Sequence, residues 1–453
     1  MEIENTALYS EVVKVTTNTS LPVHYRYDAV LYPVDDGGSY SVIKVVALDI
    51  NQDFEGKYGD ELLLKALIGA GKYAYHIYPY KDNIDVVIIK TPLTEVGDQV
   101  DASSPMTVKR YRGILIDTGS PTMTKNGSGQ ADEQSMDIAN IVEIHFQLLD
   151  KALEKLRYVD AGGTLRYTTV EDALKGMMTS MSQSVTVDKK TVVLGVDMVK
   201  ASNATQRTSI VIKHGIPIVH LPAYFQKECG GVYNAGMGHY YMDGIWYLYP
   251  CYDVTRFNST TRTAVIINLP ENRFPHIERT YRKDANNLVI LATGKIQHQD
   301  KSSIAQMNLG NGARYTDAAA MLTSAVTVKN NKALISRGAF NSEYTAQTRS
   351  DGANYAPVSG STINANPFEE MSKLAKRMGG VMAIEWQNSN PDLLTPGMMV
   401  RILYLENDQI NQLDGVLLKA HTYVHQLGDG IMGGRHSTNT GLSVFVKPVS
   451  TSS

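Results

Sequence analysis

Residues 396–446 read PGMMVRILYLENDQINQLDGVLLKAHTYVHQLGDGIMGGRHSTNTGLSVFV. Pro396 and Gly397 open a run in which Met398, Val400, Ile402 and Tyr404 fall on one face. A polar loop through Asn407 and Asp414-Gly415 is expected next. The following run puts Val416, Leu418, Ala420, Thr422 and Val424 on one face and Lys419, His421, Tyr423 and His425 on the other. A Gly-rich loop from Gly428 to Gly434 leads to a third run, with Leu442, Val444 and Val446 in register. Period-two alternation, sustained three times, predicts half-buried antiparallel strands.

The rest of the chain is read outward from that unit. Its 453 residues exceed one ordinary core, so two to four domains of about 100–200 residues are expected. Hydrophobic content of 43% with 20% charged residues describes a folded chain. The net charge of −3 argues against a protein that wraps nucleic acid, because neutralising phosphates needs a basic surface. It is compatible with a passage through which DNA slides. Tyrosine outnumbers phenylalanine by 26 to 8, which suits either strand propensity or Tyr-rich interfaces. The opening MEIENTALYSEVVKV lacks a basic stretch followed by an apolar core, so no secretory signal is expected. No apolar run approaches ~18 residues, so no membrane span is expected. Two cysteines, Cys229 and Cys251, exclude a disulfide scaffold and fit folding in a reducing compartment.

Residues 23–118 are β-rich. Strands are expected at Val23–Leu31, Tyr40–Leu48, Leu62–Ile68, Tyr73–Tyr78, Ile84–Ile89 and Tyr111–Ile116, a spacing that favours a barrel or sandwich. Residues 119–136 form a polar loop. Val142, Ile144, Phe146 and Leu148 alternate as a strand, and Asp150 caps a short helix containing Ala152, Leu153 and Leu156. Thr168-x-x-Glu171 fits a capping box ahead of Leu174, Met177, Met178 and Met181. Further strands are expected at Val192–Val196, Thr208–Ile212, Ala264–Ile267 and Leu288–Leu291. Gly238–Tyr249 reads as a hairpin around a type I′ Asp243-Gly244 turn, its aromatic runs making a sticky surface. Residues 297–365 are polar and weakly patterned. They read as an extended arm lying on neighbouring chains, with disorder as the alternative. Asn366, Pro367 and Glu369 then start a helix whose face carries Phe368, Met371, Leu374 and Met378, with Gly379 as its stop.

The sequence offers no catalytic constellation. His421 and His425 sit four residues apart on a strand, about 13 Å, too far for one metal ion. Ile68-Gly69-Ala70-Gly71-Lys72 fails as a phosphate loop because Ala66 and Tyr73 stand where glycine and Ser/Thr are needed. Gly127-Ser128-Gly129 fails as a nucleophile elbow at Asn126 and Gln130. Cys251 has His239 and His220 as possible bases, but buried cysteine is the commoner case. Asp35-Asp36 belongs to a turn and Glu369-Glu370 to a helix start, while Met177-Met178 and Met398-Met399 read as core. Catalytic, cofactor-binding and metal residues are therefore all read as none, and the chain is read as not an enzyme.

Three stretches carry a resemblance. They are PGMMVRILYL…GVLLKAHTYVHQ…GLSVFV, then NIVEIHFQLLDKALEKLRYVDAGGTLRYTTVEDALKGM at 140–177, and VYNAGMGHYYMDGIWYLYPCYDVTRF at 232–257. Together they resemble the central baseplate hub proteins of contractile-tailed bacteriophages, the group that includes the T-even hub. The resemblance implies a mainly β fold with α/β insertions: two tail-tube-like β-barrel domains plus inserted hairpin and arm domains. It implies a homotrimeric structural virion protein that joins the tail tube protein to the central spike protein, contacts other baseplate proteins, and passes DNA transiently through its lumen. The place would be the tail baseplate, assembled in the host bacterial cytoplasm, with no membrane and no cofactor. The first barrel would occupy about residues 20–120, and the second would be shared between about 190–215 and 380–447. The corresponding division is 1–130 (N-terminal barrel), 131–189 (strand-helix-helix link), 190–296 (second β unit with the aromatic hairpin), 297–365 (arm) and 366–453 (capped helix and C-terminal barrel half). A peripheral baseplate or fibre-attachment protein is the alternative. A hydrolase using Cys251 or a carboxylate pair, or a carbohydrate-binding module using Tyr240, Tyr241, Trp246 and Tyr247, is a further one.

Overall fold

The computed structural model describes residues 7–94, 99–116, 141–269, 278–293, 367–406, 409–427 and 434–447, with five two-residue strands between 297 and 355. The chain is mainly β. Its strands are β1 (His24–Pro33), β2 (Lys44–Asp53), β3 (Glu61–Gly69), β4 (Ile84–Leu93), β5 (Thr107–Ile116), β6 (Ile141–Asp150), β7 (Asp160–Thr168), β8 (Gly195–Met198) and β9 (Arg207–Pro217). They continue with β10 (Met237–Met242), β11 (Ile245–Pro250), β12 (Thr263–Leu269), β13 (Tyr281–Asp284), β14 (Asn287–Thr293), β15 (Gly380–Trp386), β16 (Met399–Glu406), β17 (Gln409–Gln426) and β18 (His436–Val446). The helices used below are α1 (Ala7–Thr16), α2 (Lys151–Leu156), α3 (Val170–Ser182) and α4 (Pro367–Arg377). Among the described residues no helix is long and apolar enough to cross a membrane.

Antiparallel ladders run β17-β2-β3-β6-β5-β4-β1-β18 and return from β18 to β17, a closed circuit of eight strands. Side chains fill its interior: Tyr27, Leu31, Leu48, Leu64, Phe146 and Val424 belong to one buried cluster. That is what eight strands leave room for. A second run, β13-β14-β12-β16-β17-β18-β15, uses the same β17–β18 hairpin. The β14–β12 and β12–β16 ladders are parallel. Among the described residues its ends meet through side chains. Trp386 Nε1 donates to Thr280 Oγ1 at 3.0 Å, and Tyr281 stands edge-on to the Trp386 ring. Ile266, Trp386, Val400 and Phe445 lie in the core beneath this run. On its other face α1 seats Val12 and Val15 against Ile267 and Leu291.

The three C-terminal runs form the strands expected of them, but Asp414-Gly415 is not a turn. Both lie inside β17, which pairs with β16 from Glu406↔Gln409 to Met399↔Val416. Asp414 is held in mid-strand by a two-pronged bond from Arg401 at 2.8 and 2.9 Å. Gly415 is needed because a Cβ there would lie 2.4 Å from the Phe445 carbonyl oxygen of β18. A local Asp-Gly signal is thus explained by an ion pair and a close strand approach.

Five other expectations are corrected. Tyr73–Tyr78 is helical, part of a stretch of helical turns from Ala70 to Tyr80. The apolar spacing there is helical, with Ile77 buried one turn from Tyr73, and Pro79 cannot donate to a ladder. The cap of α3 is Thr169, whose side chain accepts from Asp172 N–H at 3.1 Å, one residue on from the expected Thr168. Glu171 instead accepts from the Ala201 amide at 2.8 Å. The expected sharing of a barrel between 190–215 and 380–447 does not form: β9 pairs with β7, and the partners of the C-terminal unit are β12, β1 and β2. The residue spacing at 192–196 yields a strand only from Gly195, where β8 joins β11.

The aromatic hairpin is the fifth. Asp243 and Gly244 both have positive φ, 48° and 84°, as a type I′ turn requires. Its aromatics are not a surface. Tyr240 and Trp246 are fully buried, and Tyr241, Tyr247 and Tyr249 nearly so. Tyr240, Tyr247 and Tyr249 face the core under the second run, while Tyr241, Trp246 and Leu248 face a separate core built with α3. The hairpin is a partition wall between two cores, and its hydroxyls are satisfied there, as from Tyr241 to the Val192 carbonyl at 2.6 Å. Met371 on α4 and Met378, just past its end, are exposed. The 119–136 loop, the Asn366 cap, the Gly428–Gly433 part of the Gly-rich loop and the arm at 297–365, apart from its two-residue strands, lie outside the described residues.

Candidate functional site

Where the two runs meet, a short turn at Pro391–Leu393 enters the mouth of the closed circuit. β4 and β5 present Lys90 and Lys109 to it. Lys90 Nζ donates to Asn390 Oδ1 at 2.8 Å and to Asp392 Oδ2 at 2.7 Å, and lies 4.2 Å from the centre of the Tyr25 ring. Lys109 Nζ reaches Asp392 Oδ1 at 3.3 Å and Asp243, from the turn of the aromatic hairpin, at 3.6 Å. Asn390 Nδ2 donates to the Tyr25 hydroxyl at 3.0 Å, which contacts the Tyr281 hydroxyl at 3.3 Å. Residues from the circuit, the second run and the hairpin thus converge on one polar cluster.

Its electrostatics are those of a clamp. Burial alone would lower the Lys90 pKa, but the Tyr27 phenol oxygen and the Asp392 carboxylate reverse that and hold it above the ordinary lysine value. Burial likewise works against the Asp392 charge, yet Lys90 and Lys109 keep its carboxyl well below the usual range. Desolvation raises Tyr27 and Tyr111. The ammonium groups stay charged, the carboxylate stays charged, and the phenols stay neutral. No group of that set exchanges a proton near neutrality, as general acid–base catalysis requires. Beside it burial raises the Asp60 pKa, although Tyr240 and Gln52 donate to the carboxylate. The cavity among Gln52, Asp60, Lys90, Lys109 and Asp392 measures about 50 Å³, far below the several hundred that an organic substrate fills.

A wider cleft of about 330 Å³ lies between β11 and Thr395–Met398. Of the charges lining it, Arg262 lies 3.9 Å from Asp197, and Arg256 is paired with Asp253, three residues before it, at 3.7 Å.

The candidates read from the sequence do not gather. His421 is tied to Asp49 at 2.6 Å and His425 lies stacked on Tyr423, both on the outward face of β17. Among the described residues no three His, Cys, Asp or Glu side chains are placed to hold a metal ion. Cys251 and Cys229 lie in different cores. Burial pushes both thiols up, Cys229 to about 11 and Cys251 further. Burial, then the neighbouring His220, pushes His239 down to about 4. Gly69 ends β3 and Ala70 begins a helical turn, with Lys72 exposed. Asp36 accepts from the Tyr40 hydroxyl and Asp35 from Asn83, as turn residues do. Met177 and Met178 are core, as are Met398 and Met399. Glu369 stands in the first turn of α4. Gly127-Ser128-Gly129 lies outside the described residues. The burial of Tyr240, Tyr241, Trp246 and Tyr247 overturns the carbohydrate-binding reading that used them as an exposed platform. Sequence reasoning missed the Lys90–Lys109–Asp392 cluster. The one local signal was a lysine closing an apolar run, VVIIK at 86–90.

No protein-family model matches the chain, and no curated protein matches it. Among solved structures it is similar to the tail protein from Neisseria meningitidis MC58, at 13% identity and a TM-score of 0.43, over 93% of this chain and 96% of that one. It is similar to the 43 kDa tail protein of prophage MuSo2 from Shewanella oneidensis, at 9% identity and a TM-score of 0.44, over 92% and 96%. A component of the E. coli type VI secretion system, described as structurally similar to T4 bacteriophage tail proteins, matches at 8% identity and a TM-score of 0.41, over 90% and 74%.

Proposed function

We propose that the chain is a structural, non-enzymatic component of a phage tail: a hub subunit, three copies of which form a ring at the baseplate between the tail tube and the central spike. The observation that carries this reading is the pair of strand runs locked together by one hairpin, β17–β18, and by the Lys90–Asp392 clamp. In this reading the two runs are the tube-like barrels implied by the sequence resemblance, and the C-terminal stretch 366–453 lends its hairpin to the N-terminal stretch 1–130. Rigid coupling of two similar units within one chain is what a threefold-to-sixfold adaptor needs. Because side chains fill the closed circuit, a DNA passage would lie between copies and not through one. The β7–β9 ribbon pairs with no other strand among the described residues, and β9 is largely exposed, so open strand edges are available for contacts between copies. The clamp, whose groups hold fixed charge states, supports a mechanical and not a catalytic role.

The test is the mass of the purified chain, alone and with its particle's tube and spike proteins, followed by negative-stain imaging. A trimer with a threefold ring outline is expected. A monomer that persists with both partners present would refute the hub reading. Density away from the tail axis in the particle would assign the chain to the baseplate periphery.

A further inference from the structure

The closed circuit has one thin seam. β1 and β18 share a single paired position, Tyr25↔His436, whereas the β1–β4 ladder extends over ten. The hairpin ends at that point, with Gln426↔His436 as its last pair. β2 runs past it: its ladder to β17 stops at Ala47, and Val45 lies beyond. There the imidazole of His436 joins the strands. The Tyr27 amide of β1 donates to Nδ1 at 3.3 Å, and Nε2 lies 3.0 Å from the Val45 carbonyl of β2. The ring is 3% exposed and meets the edge of the Tyr27 ring.

These partners fix the chemical state. Nδ1 must be the acceptor and Nε2–H the donor, so the ring is neutral with its proton on Nε2. A proton added to Nδ1 turns the Tyr27 contact into two opposed N–H groups. We propose that His436 is an acid-sensitive stitch in this seam: neutral, it bridges β1 to β2, and protonated, it releases the β1 edge at Tyr25–Tyr27 from the hairpin. The charged groups that act on it are Asp28 on β1, which favours the cation, and Lys44 on β2, which opposes it. Tyr25 and Tyr27 of β1 are buried phenols whose pKa values are raised, so they add no charge. Gln426 faces it from β17 and is uncharged, and Gly434 on its own segment contributes only backbone. Burial outweighs the Val45 carbonyl, Asp28 and the Gly434 backbone, all of which favour the cation, and holds the His436 pKa below the ordinary histidine value. The sign follows. The closed seam is fully stable above the ordinary histidine pKa, and loses stability as pH falls from there toward the lower value of the folded state.

The test is hydrogen exchange followed by mass spectrometry from about pH 7.5 to about pH 5, corrected for the intrinsic pH dependence, in the full chain. The peptide around Tyr27 is expected to exchange faster by up to about tenfold per pH unit in that window. The peptide around Ile266, in the second run, reports global loosening and is expected to hold steady. In His436→Gln, which keeps a donor and an acceptor but no titratable proton, the acid response of the Tyr27 peptide is expected to vanish. An unchanged Tyr27 peptide in the native chain overturns the proposal. So does an equal rise in His436→Gln or an equal rise at Ile266. Should that variant not fold, the ring nitrogen shifts of His436 in the native chain decide: a proton on Nδ1 at neutral pH overturns the stitch, and one on Nε2 upholds it.

Discussion

Lys90 and Asp392 lie 302 positions apart in the chain and meet at 2.7 Å, an ammonium from the closed circuit against a carboxylate from the second run. Lys90 keeps 8% of its side-chain surface exposed, Asp392 35%. Removing the carboxylate leaves a buried ammonium with one neutral partner. Asp392→Asn is expected to cost about 2–3 kcal/mol of unfolding free energy, somewhat less than a fully buried pair because the carboxylate side is partly wet. Lys90→Met, which removes the charge that needs compensation, is expected to cost less. Denaturant titration of both variants checks the order, and an Asp392→Asn protein as stable as the native one would refute the clamp.

Gly415→Ala places a methyl 2.4 Å from a backbone carbonyl that cannot rotate away. The hairpin then has to separate locally. A loss of about 1–3 kcal/mol is expected, with both strand runs loosened together because they share it. Hydrogen exchange confined to one run would contradict the shared-hairpin account.

The helix cap distinguishes neighbours. Thr169→Ala removes an acceptor for the Asp172 amide and is expected to cost about 1 kcal/mol, whereas Thr168→Ala, whose hydroxyl only meets the Thr169 carbonyl, is expected to cost little. Equal losses on thermal unfolding would show the cap to be misassigned.

His239 is buried with its pKa lowered to about 4. The unfolded chain takes up its proton near the ordinary value of 6.5 and the folded chain only near 4. Stability is therefore complete above 6.5 and falls as pH drops through that window, by roughly 3 kcal/mol in all. Denaturant midpoints of the native chain and His239→Phe between about pH 7 and about pH 4 measure it. The variant is expected to lose that share of the acid slope.

Both thiols are free, buried and raised in pKa. A neutral alkylating reagent is expected to leave Cys229 and Cys251 unmodified in the folded chain and to label both after denaturation. Rapid labelling of Cys251 in the native state would reopen the nucleophile reading.

The strands were legible wherever one face is core and the other solvent. Leu418 to Val424 alternates because there β17 has a wet outer face with Lys419, His421 and Tyr423, whereas Val416, Leu417 and Leu418 are all buried. Patterning failed where both faces are buried. Tyr240 to Tyr249 reads as a sticky surface because nothing local distinguishes a wall between two cores from an interface. It failed also where the cause is distant: Gly415 is small because of Phe445, and Lys90 is buried because of Asp392. The clamp was not legible, since its members come from residues 90, 109, 243 and 392. Ring closure through His436 is invisible to any local window, because its partners are Tyr27 and Val45.

The strand at His24–Pro33 pairs early with Ile84–Leu93, but its Tyr25 end finds its partner across the seam only when His436 has been made. During synthesis the N-terminal strands therefore emerge long before the last piece of their own circuit, and must wait on the ribosome with an unsealed edge. Fragments that stop short of the final hairpin would lack the closing strands of both runs at once. Closure of both runs is in that sense deferred until the hairpin at 409–446 has been made.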